Sequence, residues 1–161
     1  MNPQPVKLLL FYGRGWVSDA IRWQTDSEYS HTAIGLPDGS IIEAWQGSGF
    51  ELLMMRGKVQ KKFLTDKSTI TEFEVEQTPE QTAKIIEFLE AQVGKPYNYS
   101  GIVRFITRSD LDPRDSWFCS ELVFAAFQYA GINLFERVKA VKIPPGMLAW
   151  SPLAKNPKSY S

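Results

Sequence analysis

The chain has 161 residues, of which 43% are hydrophobic and 13% aromatic, with 18 basic and 18 acidic side chains. This size and composition fit one globular domain over residues 1–161, and a formal net charge of zero gives no general attraction for nucleic acid. No apolar run approaches the ~20 residues of a membrane-spanning helix, and the first residues lack a secretory-signal pattern, so we expect a cytoplasmic protein without an integral membrane segment.

The sequence pattern of the first half of the chain predicts mainly β-strands. The strands are expected at residues 6–12, 31–36, 40–45, near 51–55 and near 70–75. A tight turn at 37–39 joins the second and third of them into a hairpin. Between the first two, Ser18 is a candidate N-cap of a short helix that runs to about Gln24.

Two helices are predicted in the second half. The first covers residues 79–93, with Thr78 as its cap and Gly94 as its left-handed stop. The second begins near Phe118 and ends at Gly131, and its wide apolar face predicts a buried, central helix. The segment between them and the proline-rich C-terminal part are expected to be irregular. Together these predicted strands and helices indicate an α+β fold, in which a small antiparallel sheet packs against helices on one side.

The chain contains one cysteine, Cys119, and one histidine, His31. A single cysteine cannot form a disulfide within the chain. We also expect no structural zinc site, because such sites usually take four ligands rich in cysteine and histidine. Cys119 falls in the first turn of the second helix, where unpaired N–H groups and the helix dipole favour a thiolate and can stabilise an oxyanion. The alternative is that Cys119 fills space in the core, as free cysteines often do.

His31 begins a predicted strand, and Glu43 interrupts the apolar run of the next one. Any Cys–His mechanism in this chain must use His31 as its base. Because the turn places the two strands side by side, Glu43 can hold the imidazole in one tautomer. Two other interpretations stay open from the residues alone: a surface or structural histidine, and a carboxylate on a solvent face.

Four segments together resemble the NlpC-type superfamily of papain-like cysteine peptidases. They are SHTAIGL, DGSIIEAW, GKPYNYSG and CSELV, which start at residues 30, 38, 94 and 119. The usual arrangement has the cysteine helix before the histidine strand, whereas here the histidine hairpin comes first. This order is similar to the circularly permuted, YiiX-like branch, and more distantly to lecithin retinol acyltransferase-like enzymes. The resemblance implies a permuted papain-like fold.

The resemblance also implies catalytic residues. Cys119 matches the nucleophile of the superfamily, His31 matches the base, and Glu43 matches the third polar position. No metal or organic cofactor is implied. The expected reaction is hydrolysis of an amide bond, in a peptide or a peptidoglycan fragment, through a thioester on the cysteine.

The resemblance further implies substrate-binding residues. Tyr97 and Tyr99 match an aromatic segment in which a tyrosine often lines the substrate site, and we favour a site role for one of the two. The chain departs from the common DCSG pattern with Phe118 before the cysteine and Glu121 two residues after it. Glu121 is a candidate for binding a substrate amine.

Two other functions remain as alternatives to the amidase. One is a lipid acyltransferase or acyl-ester hydrolase with an acyl-lipid substrate, for which a long apolar tunnel beside the cysteine would be evidence. The other is a binding module that keeps the fold without turnover, for which a large separation of Cys119 from His31 would be evidence. The sequence indicates no oligomeric state.

Overall fold

The structure is a computed structural model that describes residues 3–13, 16–64, 69–100, 115–140 and 143–161. Its strands are β1 (Lys7–Phe11), β2 (His31–Gly35), β3 (Ser40–Trp45), β4 (Lys58–Phe63), β5 (Ile70–Glu74) and β6 (Lys155–Tyr160). Within these ranges the six strands form one sheet in the order β4-β3-β2-β1-β5-β6. Every neighbouring pair in this sheet is antiparallel.

In the described part of the chain, four helices accompany the sheet, and the last of them makes the main helical contacts with it. They are α1 (Trp16–Thr25), α2 (Phe50–Leu53), α3 (Pro79–Gln92) and α4 (Cys119–Tyr129), followed by a 3-10 turn (Pro145–Trp150). The predicted cap of α3 is confirmed, because the Thr78 hydroxyl accepts from the Gln81 N–H and the Gln81 side chain accepts from the Thr78 N–H. Gly94 then adopts a φ of 92°, which ends α3 as expected.

The two faces of the sheet carry two separate buried clusters. Leu8, Ile34 and other residues of one face pack in a large cluster with side chains of α4, such as Phe124. The second face carries a smaller cluster of Leu9, Phe11, Ala33, Ile41 and Ile70. Because side chains alternate between the faces of a strand, His31 and Glu43 belong to the second face. Side chains of α4 therefore pack on one face, and the polar pair belongs to the other, with His31 at the first position of its strand.

The strand expected near residues 51–55 is wrong. The helix α2 occupies this part of the chain, and the strand β4 begins only at Lys58. Gly47 and Gly49 have φ values of 85° and 53°, and these left-handed conformations turn the chain out of the sheet directly after β3. The apolar side chains that suggested a strand are mostly exposed, and α2 buries none of its residues.

The structure also differs from two other expectations, one for the start of α1 and one for the C-terminal part of the chain. Ser18 does not cap α1, because that helix begins at Trp16 and Ser18 lies inside it. The C-terminal part is more regular than expected, since it contains the 3-10 turn and β6. All six residues of β6 are exposed, so this edge strand lacks the apolar alternation by which strands are recognised. Of the segment expected to be irregular before α4, residues 101–114 lie outside the described ranges.

In the part of the chain that the structure describes, no helix is both long enough and apolar enough to span a bilayer.

Candidate active site

Cys119 is the first residue of α4, and its side chain lies close enough to His31, the first residue of β2, to raise the pKa of that imidazole. The preceding Phe118 has an extended backbone, with φ −84° and ψ 153°, so the helix starts abruptly at the cysteine. The N–H groups in the first turn of a helix have no carbonyl partner within it. Cys119 therefore lies at the end of α4 that carries unpaired backbone donors and the positive end of the helix dipole.

Glu43 continues this chain of contacts behind the imidazole. Its Oε2 lies 2.6 Å from His31 Nε2. Its other oxygen, Oε1, accepts from Gln60 Nε2 at 2.9 Å and lies 2.7 Å from Lys62 Nζ. Gln60 stands directly opposite Glu43 in the β3–β4 pair, and Lys62 is two residues further along the same face. Both carboxylate oxygens are thus occupied, which fixes the orientation of Glu43 toward His31.

The side chains of the three residues in this series of contacts are almost completely buried. Cys119 is 1% exposed, Glu43 2% and His31 7%. Burial strengthens the interactions among them because water screens buried charges weakly. The structure therefore brings together the three residues for which the sequence predicted catalytic roles.

The protonation of His31 and Glu43 follows from this burial and pairing. Burial alone would lower the pKa of His31, but hydrogen bonds with Cys119 and Glu43, together with their negative charges, raise it from 6.5 to about 10. Burial alone would raise the pKa of Glu43, but His31, Lys62 and Gln60 lower it from 4.5 to about 2. Near neutral pH the pair is an imidazolium beside a carboxylate, and the imidazolium can pair with a thiolate or donate a proton.

Aromatic rings hold the imidazole on two sides. The ring of Phe11, the β1 partner of His31, lies 5.3 Å from it between centroids. The ring of Trp45 lies 5.5 Å away, with its plane at 80° to the imidazole. Lys62 Nζ is 5.2 Å from the centroid of Trp45, so one lysine contacts both the carboxylate and the ring. These contacts limit rotation of His31 and preserve its alignment with Cys119.

Tyr97 lies next to the cysteine. It is 4% exposed, and its ring centroid is 5.8 Å from that of Phe118. Burial, and then the negative charge of Cys119, raise the pKa of the Tyr97 phenol well above its usual value. The Tyr97 phenol is therefore neutral near neutral pH.

The hydroxyl of Tyr99 hydrogen-bonds the backbone of the segment between β3 and β4. It donates to the Gln46 carbonyl at 2.6 Å and accepts from the Gly57 N–H at 2.7 Å. These bonds join the two ends of the segment between β3 and β4, which gives Tyr99 a structural role. Of the two predicted tyrosines, Tyr97 is the one for which the contacts favour a site role.

Glu121 is 5% exposed and lies in the first turn of α4. Its carboxylate accepts from the N–H of Phe118 at 3.5 Å, a long bond across the start of the helix. This position suits an acid because the helix N-terminus carries partial positive charge. Binding of a substrate amine by Glu121 stays a prediction.

Contacts of Gln60 and Lys62 with Glu43 were not predicted from the sequence. Both contact Glu43 from β4, the strand that was expected too early in the chain. Because side chains alternate between the faces of a strand, a strand at 58–63 would have placed Gln60 and Lys62 on one face. With β4 adjacent to β3, these side chains would then have been expected beside Glu43.

Within the described ranges, no group of three or more His, Cys, Asp or Glu residues is placed to hold a metal ion. The candidate site instead brings together a thiol, an imidazole and a carboxylate, with the imidazole hydrogen-bonded to the carboxylate. This set suits nucleophilic catalysis.

Known proteins share both the sequence pattern and the fold. The model of a family described as permuted papain-like amidase enzyme, YaeF/YiiX, C92 family, matches residues 12–143. A relative from Escherichia coli K12, described as probable lipoprotein peptidase YaeF, is 31% identical over an alignment of 159 positions, gaps included, that covers 80% of this chain. The match covers 56% of that relative, so the chain spans little more than half of its length.

A solved structure with the same fold is the crystal structure of a protein from Escherichia coli O157:H7 that is described as metalloprotein yiiX. It has a TM-score of 0.66 and 21% identity to this chain, and the match covers 100% of this chain and 99% of the other. At this identity the likeness establishes the architecture alone.

Proposed function

Because this chain belongs to the permuted papain-like amidase family, YaeF/YiiX, we propose that it is a cysteine hydrolase that cleaves an amide bond, with Cys119 as nucleophile. The membership confirms the circularly permuted papain-like fold that the sequence predicted. One observation supports the proposal for the site: His31 is buried between Cys119, which raises the pKa of its imidazole, and Glu43, whose Oε2 lies 2.6 Å from its Nε2. A nucleophile, a base and a residue that orients the base are the three parts required for this chemistry.

The first half of the proposed reaction forms a thioester. The thiolate of Cys119 attacks the substrate carbonyl carbon, and the electron pair of the carbonyl moves to its oxygen. The N–H groups at the start of α4 stabilise this oxyanion. As it collapses, the C–N bond breaks, and the His31 imidazolium gives its proton to the leaving amine.

The second half releases the acyl group. Neutral His31 takes a proton from water, and the resulting hydroxide attacks the thioester carbon. The C–S bond breaks, the acid product leaves, and Cys119 returns as a thiolate beside the imidazolium. Glu43 stabilises the charged imidazole in both halves and keeps its ring oriented.

The proposed substrate is a peptide or a peptidoglycan fragment. The neighbouring phenol of Tyr97 is a candidate donor to a peptide carbonyl, and Glu121 a candidate partner for a substrate amine. Both are polar groups at the start of α4, which supports a peptide rather than an acyl-lipid substrate. The relative described as a lipoprotein peptidase is consistent with peptide cleavage by this chain.

The proposal is tested by incubating the protein with a panel of peptide amides and a digest of peptidoglycan, with new amines and acids identified by mass spectrometry. Cys119→Ser is the matched control, because it keeps a hydrogen-bonding side chain of similar size beside His31. We expect products with the wild type and a loss of at least about 10³-fold with Cys119→Ser. Equal product formation by both proteins would contradict a cysteine mechanism.

A further inference from the structure

We propose that the segment between β3 and β4 forms a surface that binds lipid bilayers with anionic headgroups. This surface, called here the α2 surface, consists of Phe50, Leu53, Met54, Met55, Arg56 and Lys58. The inference does not depend on the proposed hydrolase function. It follows from the exposure, the fixed backbone and the charge of these residues.

The α2 surface exposes large apolar side chains at adjacent positions. Leu53 is 79% exposed, Met55 70%, Phe50 65% and Met54 48%. Four such residues within six positions make the densest exposed apolar stretch in the described ranges. Single exposed apolar residues are ordinary, whereas a cluster of them marks an interaction surface.

The backbone of this segment is held in place. The Tyr99 hydroxyl joins Gln46 at one end to Gly57 at the other. A Cβ atom at Gly57 would lie only 2.5 Å from the Trp45 carbonyl oxygen, so glycine is needed for this close approach. Both ends of the segment are thus fixed by these contacts, and its apolar side chains lie exposed between them.

Cations flank the apolar side chains. Arg56 and Lys58 are both exposed, and the Arg56 guanidinium lies 5.7 Å from the ring centroid of Phe50. Glu51 is the one acid between residues 50 and 58, so the segment carries a net positive charge. Apolar side chains with adjacent Arg and Lys match a bilayer that contains anionic lipid, because the former enter the acyl boundary while the latter pair with phosphates.

The α2 surface is also close in sequence to the candidate site. It begins five residues after Trp45, whose ring contacts His31. Binding of a bilayer at this surface would bring the membrane close to the end of β3 that bears Trp45.

A vesicle sedimentation experiment with the full chain tests the inference. The probes are vesicles of phosphatidylcholine alone and of phosphatidylcholine mixed with phosphatidylglycerol. We expect stronger binding to the anionic vesicles and a fall in binding with added salt. The double variant Leu53→Gln, Met55→Gln should weaken binding about tenfold or more, and Arg56→Gln with Lys58→Gln should remove the preference for anionic lipid. Trp150→Gln is the matched control, since Trp150 is 70% exposed outside this segment, and should bind like the wild type.

A site-specific probe gives a second, independent measurement. Since the chain has one cysteine, Cys119→Ala yields a cysteine-free background. An environment-sensitive dye on Leu53→Cys should shift its emission to the blue with anionic vesicles, and the same dye on Trp150→Cys should not. Absence of binding to both kinds of vesicle would overturn the inference and would indicate that a protein surface covers these residues. Unchanged binding by the Leu53 and Met55 double variant would overturn it equally.

Discussion

Glu43 Oε2 lies 2.6 Å from His31 Nε2, in a buried pair that joins two neighbouring strands at the start of α4. This contact links the fold to the proposed chemistry, because the hairpin that positions Glu43 also aligns the imidazole with Cys119.

The first prediction therefore concerns Glu43. Glu43→Gln keeps the shape of the side chain but removes its charge, so the pKa of His31 should fall and its imidazolium should lose support. We expect kcat/KM to fall by about 10²- to 10⁴-fold.

Steady-state hydrolysis of the identified substrate measures this effect. Glu76→Gln is a suitable control, because the Glu76 side chain is 85% exposed and pairs with Lys155 at the surface. It should retain the wild-type rate. A Glu43→Gln variant that is folded and fully active would remove Glu43 from the mechanism.

The second prediction concerns Lys62. Its ion pair with Glu43 helps to lower the pKa of that carboxyl to about 2, so the stabilisation is present above pH 4.5 and is lost as the pH falls toward 2. Lys62→Met should raise the pKa of Glu43 and move the acid-unfolding midpoint to higher pH. Because the lysine is 44% exposed and Gln60 remains in place, we expect turnover near neutral pH to stay within about tenfold of the wild type.

The adjacent lysine provides the control for this measurement. Lys61 pairs with Asp38 and Glu90 rather than with Glu43. Lys61→Met should therefore change acid unfolding less than Lys62→Met does. Equal shifts for the two variants would show that general surface charge, and not the contact with Glu43, is responsible.

The third prediction concerns stability at alkaline pH. The pKa of His31 is raised from 6.5 to about 10 by folding. Its contribution to stability is therefore fully present below pH 6.5 and is lost as the pH rises toward 10. The wild type should be more stable than His31→Gln at low pH. This difference in the free energy of unfolding should fall by about a few kcal/mol as the pH rises from 6.5 to 10, as expected for a pKa shift of this size. Urea unfolding at a series of pH values measures the difference, and a constant difference would contradict the raised pKa.

The fourth prediction separates the two tyrosines. Tyr99→Phe removes the hydroxyl that joins Gln46 and Gly57, so the free energy of unfolding should fall by about 1–3 kcal/mol with little change in turnover. Tyr97→Phe removes a neutral donor beside Cys119 and should lower kcat/KM by about tenfold with a smaller effect on stability. Chemical unfolding and steady-state kinetics of both variants distinguish the roles. The reverse pattern would assign the site role to Tyr99.

The parts of the fold that the sequence predicted well have local signals. The turn at 37–39 set the β2–β3 hairpin, and the cap at Thr78 and the stop at Gly94 set α3. The extent of α4, predicted from near Phe118 to Gly131, followed from its apolar face and from the stop at Gly131. In each case residues close in sequence determine the conformation, so the pattern is visible without the tertiary structure.

The errors arose where tertiary contacts decide the structure. Apolar residues at 50–55 suggested burial, but Gly47 and Gly49 turn this stretch outward and leave it exposed. Polar β6 forms only because it pairs with the edge of β5. The contact of Cys119 with His31 joins distant parts of the chain, and it was inferred from the resemblance to a family rather than from any spacing.

The alkylation rate of Cys119, the single thiol of the chain, tests the central claim most directly. Iodoacetamide is added to native wild type and native His31→Gln at neutral pH, and the product is followed by intact mass. If His31 maintains a reactive thiolate, the wild type should be alkylated about tenfold faster or more, and the modified protein should lose its hydrolase activity. Equal, slow rates in both native proteins, with rapid alkylation only after unfolding, would identify Cys119 as a buried core residue and contradict the proposed mechanism.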